Sequence, residues 1–518
     1  MNIITLDFET YFDDEYTLSK MTTEAYIRDT RFEAHGCAVK WRPDSKTVWI
    51  PGDELGDSGF KIALEDNAVL CHHGQFDGLI LSHHYDIKPK FWFDTLSMAR
   101  LLLGNHLSVG LDSLAKHFAL AAKTVPYNLF KGKHWHELHP AVQKQVADGA
   151  IHDVELTWQL FNILGKNFPR EEFDVIDSTV RLFTEPCLRG DIDLLGKLWL
   201  DEEKNKTTRL ADLNVSEADL QSADRFAQLL RDEGVEPELK EGKNKQIYAF
   251  AKTDQFMRDL LEDDNDRIRA LAEARLGVKS TILQTRAETL GWMARRGPMP
   301  VYLRYAGAHT TRDSGGDGAN WQNFKRTDPE NPKQSSPLRR SIMAPEGFLL
   351  APVDLSQIEA RLLNYLAGQE DVIQNFREGK DPYVGIASQF YGRPITKDTL
   401  EYHVPDDDER AKLAEFKWDG YWRFRTRNGW TDLYHTKFVE NVIQWLARVV
   451  MMQAMLRIKA LGYRIVMRTH DELVVLIPKD GREQQHLQIC MNEMKRTPNW
   501  LPGIPLDCEG SLGERYSK

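Results

Sequence analysis

Sheet-forming and helix-forming stretches alternate early in this chain, give way to charged helical sequence, and mix again towards the C-terminus. That pattern predicts a multidomain protein of α/β and α+β class. Two further observations agree with it. Asp354 and Asp471 each end an apolar strand, in distant parts of the sequence, and 518 residues imply about three or four domains. Within residues 1–165, Ile3–Phe8, Ala38–Trp41, Val48–Ile50 and Ala68–Cys71 read as strands, and Leu111–Phe118 and Ala141–Leu164 as helices. Residues 166–290 are helical and charged, with a loop at Lys240–Lys245. Residues 291–518 contain a strand at Phe348–Val353, helices at Ile358–Ala367 and Val439–Leu461, two strands around His470, and a last helix near Glu483–Lys495.

Composition excludes several classes. Hydrophobic residues make up 42% and charged residues 28%, enough for buried cores in a globular protein. No apolar run approaches the ~18 residues of a membrane span, and Met1–Asp7 has neither a basic region nor a cleavage site, so no membrane or secretory role is expected. Cys37, Cys71, Cys187, Cys490 and Cys508 are scattered without a C-x-x-C pair, which suits reduced, structural thiols and a cytoplasmic setting. The net charge of −11 argues against uniform affinity for nucleic acid, but residues 286–340 hold ten Lys/Arg against five acids. Such a basic stretch suits a phosphate backbone.

The acids follow a pattern. Asp7 and Glu9 alternate along the first strand and share one face. Asp77 follows the strand Ala68–Cys71, and Asp153 lies in the helix that starts near Ala141. Asp354 and Asp471, held by a rigid sheet, could share divalent ions in the arrangement of phosphoryl-transfer sites, where two metals stand roughly 3.5–4 Å apart. Each acid alone also fits a bland role, as a surface charge, a strand cap or a turn residue. His134, His136 and His139 have no cysteine nearby and match no common zinc spacing, so a structural or DNA-contacting role is expected for them.

Longer motifs surround these acids. Val353–Arg361 resembles motif A, and His470-Asp471-Glu472 motif C, of family A DNA polymerases, the group of bacterial DNA polymerase I. Glu440–Gln444 resembles the palm helix in wording typical of bacteriophage members. Thr310-Thr311-Arg312 and Asn320–Asn323 resemble the T-G-R and N-x-Q-N elements, with Thr311 in place of glycine. His72–Asp77 and Ile151–Thr157 resemble motifs II and III of DEDD exonucleases. The resemblance covers nearly the whole chain except one segment. It implies an RNase H-like 3′–5′ exonuclease domain (1–165), a linker and thumb (166–290), and the palm of a polymerase right hand (291–518) with fingers truncated near 370–430.

It also implies two Mg²⁺ or Mn²⁺ ions per active site, held by Asp7, Glu9, Asp77 and Asp153 in one and by Asp354 and Asp471 in the other, with Glu472 as an auxiliary acid. Gln357 and Glu359 would bind the nucleotide, Glu359 by excluding a 2′ hydroxyl. Arg275 and Lys279 would grip duplex phosphates from the thumb, and Arg312, Gln322, Asn323, Arg339, Gln444 and His470 would contact primer–template. The implied function is template-directed DNA synthesis with proofreading in phage replication, by a monomer in the cytoplasm of an infected bacterium. Its partners would be primer–template, single-stranded DNA and deoxynucleoside triphosphates. A 3′–5′ exonuclease with a synthesis-inactive polymerase-like body, and a non-catalytic primer–template binding module, remain open.

The chain departs from the family pattern in several places. His73 replaces the usual asparagine, Gly149 the tyrosine that orients the attacking water, and Asp148 stands where another subclass has histidine. His152 could substitute only if its helix is rotated or shifted. The triphosphate-binding helix is missing: about 40 residues separate Asp398 from Glu440, and Arg410 and Lys412 are two apart instead of four. A block missing near Asp398–Glu401 is expected, either deleted or left out of the sequence as given; a truly short chain would give no primer extension, and a longer one would restore synthesis.

Overall fold

The computed structural model describes residues 1–104, 107–242, 245–252, 254–261, 263, 265–279, 282–326, 335–380, 422–426, 429–433 and 435–517. By contacts it divides into two compact units: residues 1–189, 298–326 and 343–518 in one, and 190–297 and 327–342 in the other. Most of the fingers segment expected near 370–430, and the join expected near Asp398–Glu401, lie outside the described residues.

The first unit begins with a five-stranded sheet: β1 (Ile3–Thr10), β2 (Ala34–Lys40), β3 (Val48–Pro51), β4 (Ala68–Cys71) and β5 (Phe91–Asp94), in the order β3-β2-β1-β4-β5. The β1–β2 and β2–β3 pairs are antiparallel, and β4 and β5 join in parallel. Period-two alternation puts Ile4, Leu6 and Phe8 of β1 into the core and leaves Asp7 and Glu9 on the other face. The helix Pro140–Gly165 packs along β1 and β2. It starts where Pro140 occupies the first turn and His139 accepts a hydrogen bond from the Ala141 amide.

The same unit contains a second, antiparallel sheet, ordered Arg464–Thr469, Glu472–Pro478, Phe348–Leu355, Cys508–Gly510. Its central strands are buried almost throughout. The helices His435–Ala460 and Glu483–Lys495 pack against this sheet. The two sheets share one hydrophobic cluster, running from Ile4, Leu79 and Trp92 through Val175, Ile176 and Phe183 to Met455, Val475 and Ile477. Arg170–Thr184 joins them. Its polar residues, buried Asp177 and half-buried Glu172, meet partners from the second sheet's neighbourhood: Lys459 donates to Asp177 at 2.7 Å, and Arg448 donates to Glu172 at 2.6 and 2.8 Å.

The second unit is helical. Ile192–Leu213 packs along Ile282–Arg296, and a smaller core forms around Phe226, Leu230, Met257 and Leu271. The strands Leu239–Glu241 and Gln246–Tyr248 pair, the first taking in Lys240 and Glu241 of the expected loop. No helix among the described residues is long and apolar enough to cross a membrane.

Candidate active site

Asp7, Glu9 and Asp153 come together where β1 faces the helix Pro140–Gly165, and one carboxylate oxygen from each lies within 4.8 Å of the others. Asp77, in the helix Gly74–His84, joins them from the neighbouring connection, and its carboxylate accepts from the Phe8 amide at 3.1 Å. Asp7, Glu9 and Asp77 border a cleft of about 440 Å³ lined also by His73, Lys123 and Tyr127. Asp153 is fully buried, and its Oδ1 has no hydrogen-bond partner. A buried carboxylate oxygen is costly unless something pairs with it, and a ring of hard oxygen donors suits Mg²⁺ or Mn²⁺. The residues therefore fit a divalent ion.

Electrostatics agree. Burial first, then the neighbouring Asp153, pushes the Asp7 carboxyl up to about 7. Burial followed by the charge of Asp7 raises Glu9 and Asp77 as well, and burial raises Asp153. Acids raised in the folded state stabilise the fold below their ordinary range and lose that contribution as pH rises through the folded value. The metal-free protein is thus expected to lose melting temperature from roughly pH 4 upward, the Asp7 contribution being lost as pH passes about 7. Asp7→Asn should flatten this slope in a pH series of thermal melts with chelator, and an unchanged slope would refute it.

His73 sits at φ 86°, ψ 53°, just before the helix that carries Asp77. This left-handed conformation is one that asparagine and histidine both tolerate. Asp94 fixes the turn: its Oδ1 accepts from the His73 amide at 2.8 Å and the Gly74 amide at 3.3 Å.

The space beside Gly149 is filled from elsewhere in the chain. A Cβ on Gly149 would lie 2.8 Å from the Val125 Cα, so this helix position admits only glycine while the segment 119–126 docks there. His152 does not face the acids; its Nε2 meets the Ala122 carbonyl at 2.9 Å and anchors the same segment. Asp148 is exposed and pairs with Lys144 at 2.6 Å. Lys123, carried into the cleft by this segment, reaches Asp153 at 2.7 Å, and its ammonium donates to the Tyr127 hydroxyl at 3.2 Å. Neither Lys123 nor Tyr127 belongs to a motif; the glycine at 149 was the one hint that another side chain takes the vacated space. Gly149→Ala should displace the segment and destabilise the protein by about 1–3 kcal/mol; a thermal melt matching wild type would refute the close packing.

A second pair of acids lies on the other sheet. Asp354 sits opposite Glu472 in the strand register, and the Leu355 amide donates to the Asp471 carbonyl at 2.9 Å, which brings Asp354 and Asp471 side by side. Burial, then the charge of Asp354, raises the Asp471 carboxyl. Arg326 stands 3.8 Å from Asp354. Glu472 is buried and accepts from the Tyr516 hydroxyl at 2.5 Å. Gln357 adopts φ 52° immediately before the helix Ile358–Leu366, and Glu359 in its first turn accepts from Arg312 at 2.5 Å. Gln322 is half-buried, Asn323 and His470 are exposed, and Gln444 is half-buried and donates to Glu440 at 3.0 Å.

Arg275 calls for correction. Arg275 is 2% exposed, donates to the carbonyls of Leu220 and Ser222, and lies over the rings of Phe226 and Phe250. Its guanidinium is built into the second unit's core instead of facing DNA. Arg339 is also buried. Lys279 ends the helix Asp266–Lys279, and its side chain lies outside the described residues.

Comparisons with known proteins follow the same division. Residues 22–169 match the 3′–5′ exonuclease family of DNA polymerase A. This span includes Asp77 and Asp153, whereas Asp7 and Glu9 precede it. The thermostable DNA polymerase I of Thermus thermophilus is 25% identical over 238 residues, which are 35% of this chain and 28% of that protein. The DNA polymerase of Bacillus phage SP02 is 32% identical over 108 residues, 21% of this chain and 15% of that one. The aligned stretches thus span 28% and 15% of those relatives' lengths. In fold, the chain is similar to the POL domain of Pol1 from M. smegmatis, solved with DNA primer-template and dNTP. The TM-score is 0.67 at 17% identity, over 99% of this chain and 95% of that chain.

Proposed function

We propose, for a chain related to DNA polymerase I that carries the 3′–5′ exonuclease domain of that family, a divalent-metal-dependent exonuclease that removes nucleotides from 3′ ends of DNA. The observation that carries the reading is the convergence of Asp7, Glu9 and Asp153 within 4.8 Å, with a buried Asp153 oxygen lacking a hydrogen-bond partner. These three acids, with Asp77 beside them, would hold the metal. When bound, it supplies an activated water and stabilises charge on the leaving oxygen. Asp77, fixed by the Phe8 amide, keeps β1 and its own helix in register beside the cleft. The Tyr127 hydroxyl and the His73 ring border the space where a 3′-terminal nucleotide would lie.

The palm-like region supports a second activity, template-directed DNA synthesis that the exonuclease would proofread. There Asp354 and Asp471 would hold metal, Glu359 would stand under the incoming sugar, and Gln357, Arg312, Gln322, Asn323, Gln444, His470 and Lys279 would contact nucleotide or primer–template. The phage relative favours a role in phage DNA replication. One reading of the sequence favours a synthesis-inactive body instead: between Asp398 and Glu440 no motif resembles that of the triphosphate-binding helix.

One assay tests both activities. With a 5′-labelled single strand and Mg²⁺, the full chain should yield a ladder shortened from the 3′ end, and EDTA should stop it. No shortening with either Mg²⁺ or Mn²⁺ would overturn the exonuclease reading. Adding template and triphosphates decides between synthesis and its absence.

A further inference from the structure

Tyr127 and Lys123 belong to no motif, yet both line the cleft that Asp7, Glu9 and Asp77 border. An ammonium can only donate hydrogen bonds. At 3.2 Å the Tyr127 oxygen therefore accepts from Lys123, and the phenol's own proton is turned away from the ammonium. Lys123 is in turn held by Asp153 at 2.7 Å. The tyrosine ring is fixed on its other sides, edge-on to Phe12 at 6.3 Å between centroids and tilted on Phe130 at 5.8 Å. The segment before it is pinned by Val125 against Gly149 and by the Ala122 carbonyl on His152. Burial, then the charge of Glu9, holds the phenol above its ordinary range, and Asp7 adds to the effect. Tyr127 thus keeps its proton beside these two acids.

From this geometry we propose that the Tyr127 hydroxyl positions the water that attacks the terminal phosphodiester, with Lys123 as the residue that holds it there. The inference rests on the exonuclease reading above and adds to it a group from residues 119–130, outside every acid-bearing element. Hydrolysis needs the water oxygen in line with the bond to the leaving 3′ oxygen. Two hydrogen bonds fix that orientation: the water accepts from Tyr127 and donates to the Glu9 carboxylate, which leaves a lone pair for phosphorus. The new phosphorus–oxygen bond forms as the bond to the 3′ oxygen breaks. The water gives up a proton to solvent, and the 3′ oxygen takes one from solvent. Other polar groups of the lining are engaged elsewhere: His73 Nε2 lies 3.4 Å from the Tyr302 hydroxyl, and the Thr10 and Tyr26 hydroxyls bond each other at 2.7 Å.

The test follows 3′ shortening of a 5′-labelled single strand by the full chain with Mg²⁺. Tyr127→Phe keeps the ring beside Phe12 and Phe130 and removes only the hydroxyl. It should lower kcat by about tenfold to a hundredfold, the worth of one hydrogen bond in the transition state. KM, and single-strand binding with Ca²⁺, should stay at wild-type values. Lys123→Met frees the hydroxyl to turn, so Tyr127→Phe added to it should cost less than Tyr127→Phe costs alone. A wild-type kcat in Tyr127→Phe would overturn the proposal. So would a raised KM at unchanged kcat, which would make the hydroxyl a substrate contact, and so would full additivity of the two substitutions. Failure of the exonuclease reading itself looks different: neither the wild type nor any variant would shorten the strand, and both readings would fall together.

Discussion

Asp7→Ala is expected to slow removal of 3′-terminal nucleotides by about a thousandfold or more, because losing one carboxylate of the metal cradle forfeits several kcal/mol of transition-state stabilisation. Asp7 lies on β1 with its oxygen among those of Glu9 and Asp153, so truncation opens the cradle without disturbing the core-facing residues Ile4, Leu6 and Phe8. Binding of single-stranded DNA, measured with Ca²⁺ in place of Mg²⁺, should be nearly unchanged. Removing a buried like charge should also raise the melting temperature of the metal-free protein above neutral pH, in keeping with the upward shift at Asp7. Digestion by the variant at the wild-type rate would sink the assignment of this cleft.

Arg468→Ala should cost about 3–5 kcal/mol of folding stability, the loss that follows when one partner of a buried ion pair is removed. Arg468 is 1% exposed and donates to Asp313 at 2.5 Å and to the Thr179 hydroxyl at 2.6 Å. Asp313 is itself buried, so truncation strands a carboxylate in the interior between the two sheets. Replacing both partners with apolar residues, Arg468→Met with Asp313→Leu, should cost much less, since no unpaired charge remains. Denaturant unfolding of the three proteins checks this. If the double variant is as unstable as Arg468→Ala, the ion pair is not the cause.

The Arg468 network also shows why the two sheets behave as one unit. Residues 166–189 read as the start of a helical, charged linker, because Arg170, Glu171, Glu172, Asp174, Asp177 and Arg181 dominate the local composition. The structure buries one face of that helix. Glu172 meets Arg448 and the Tyr305 hydroxyl, and Asp177 meets Lys459, Arg181 and the Trp92 amide. Charged side chains can face a core when their partners come from elsewhere in the chain, and no local pattern reveals such partners. The same holds for Arg275, which by resemblance to a thumb would grip a phosphate and whose actual companions are two carbonyls and two aromatic rings.

The sequence by itself determined what depends on local periodicity and residue chemistry. The alternation in β1 places Asp7 and Glu9 on one face, and the apolar run before Asp354 and the hairpin around Asp471 predict strands that the structure contains. The long helix carrying Asp153 follows equally from its pattern. What only the tertiary structure decided is which side chains complete the site. Lys123 sits in an irregular segment and Tyr127 opens a one-turn helix after it, neither matching a motif, and Gly149 first reads as a missing tyrosine. Packed together, the glycine is what allows Val125 to approach, and that approach carries the ammonium to Asp153. A charge can be held in a buried cleft only by contacts among distant residues, and those contacts exist only once the chain has folded.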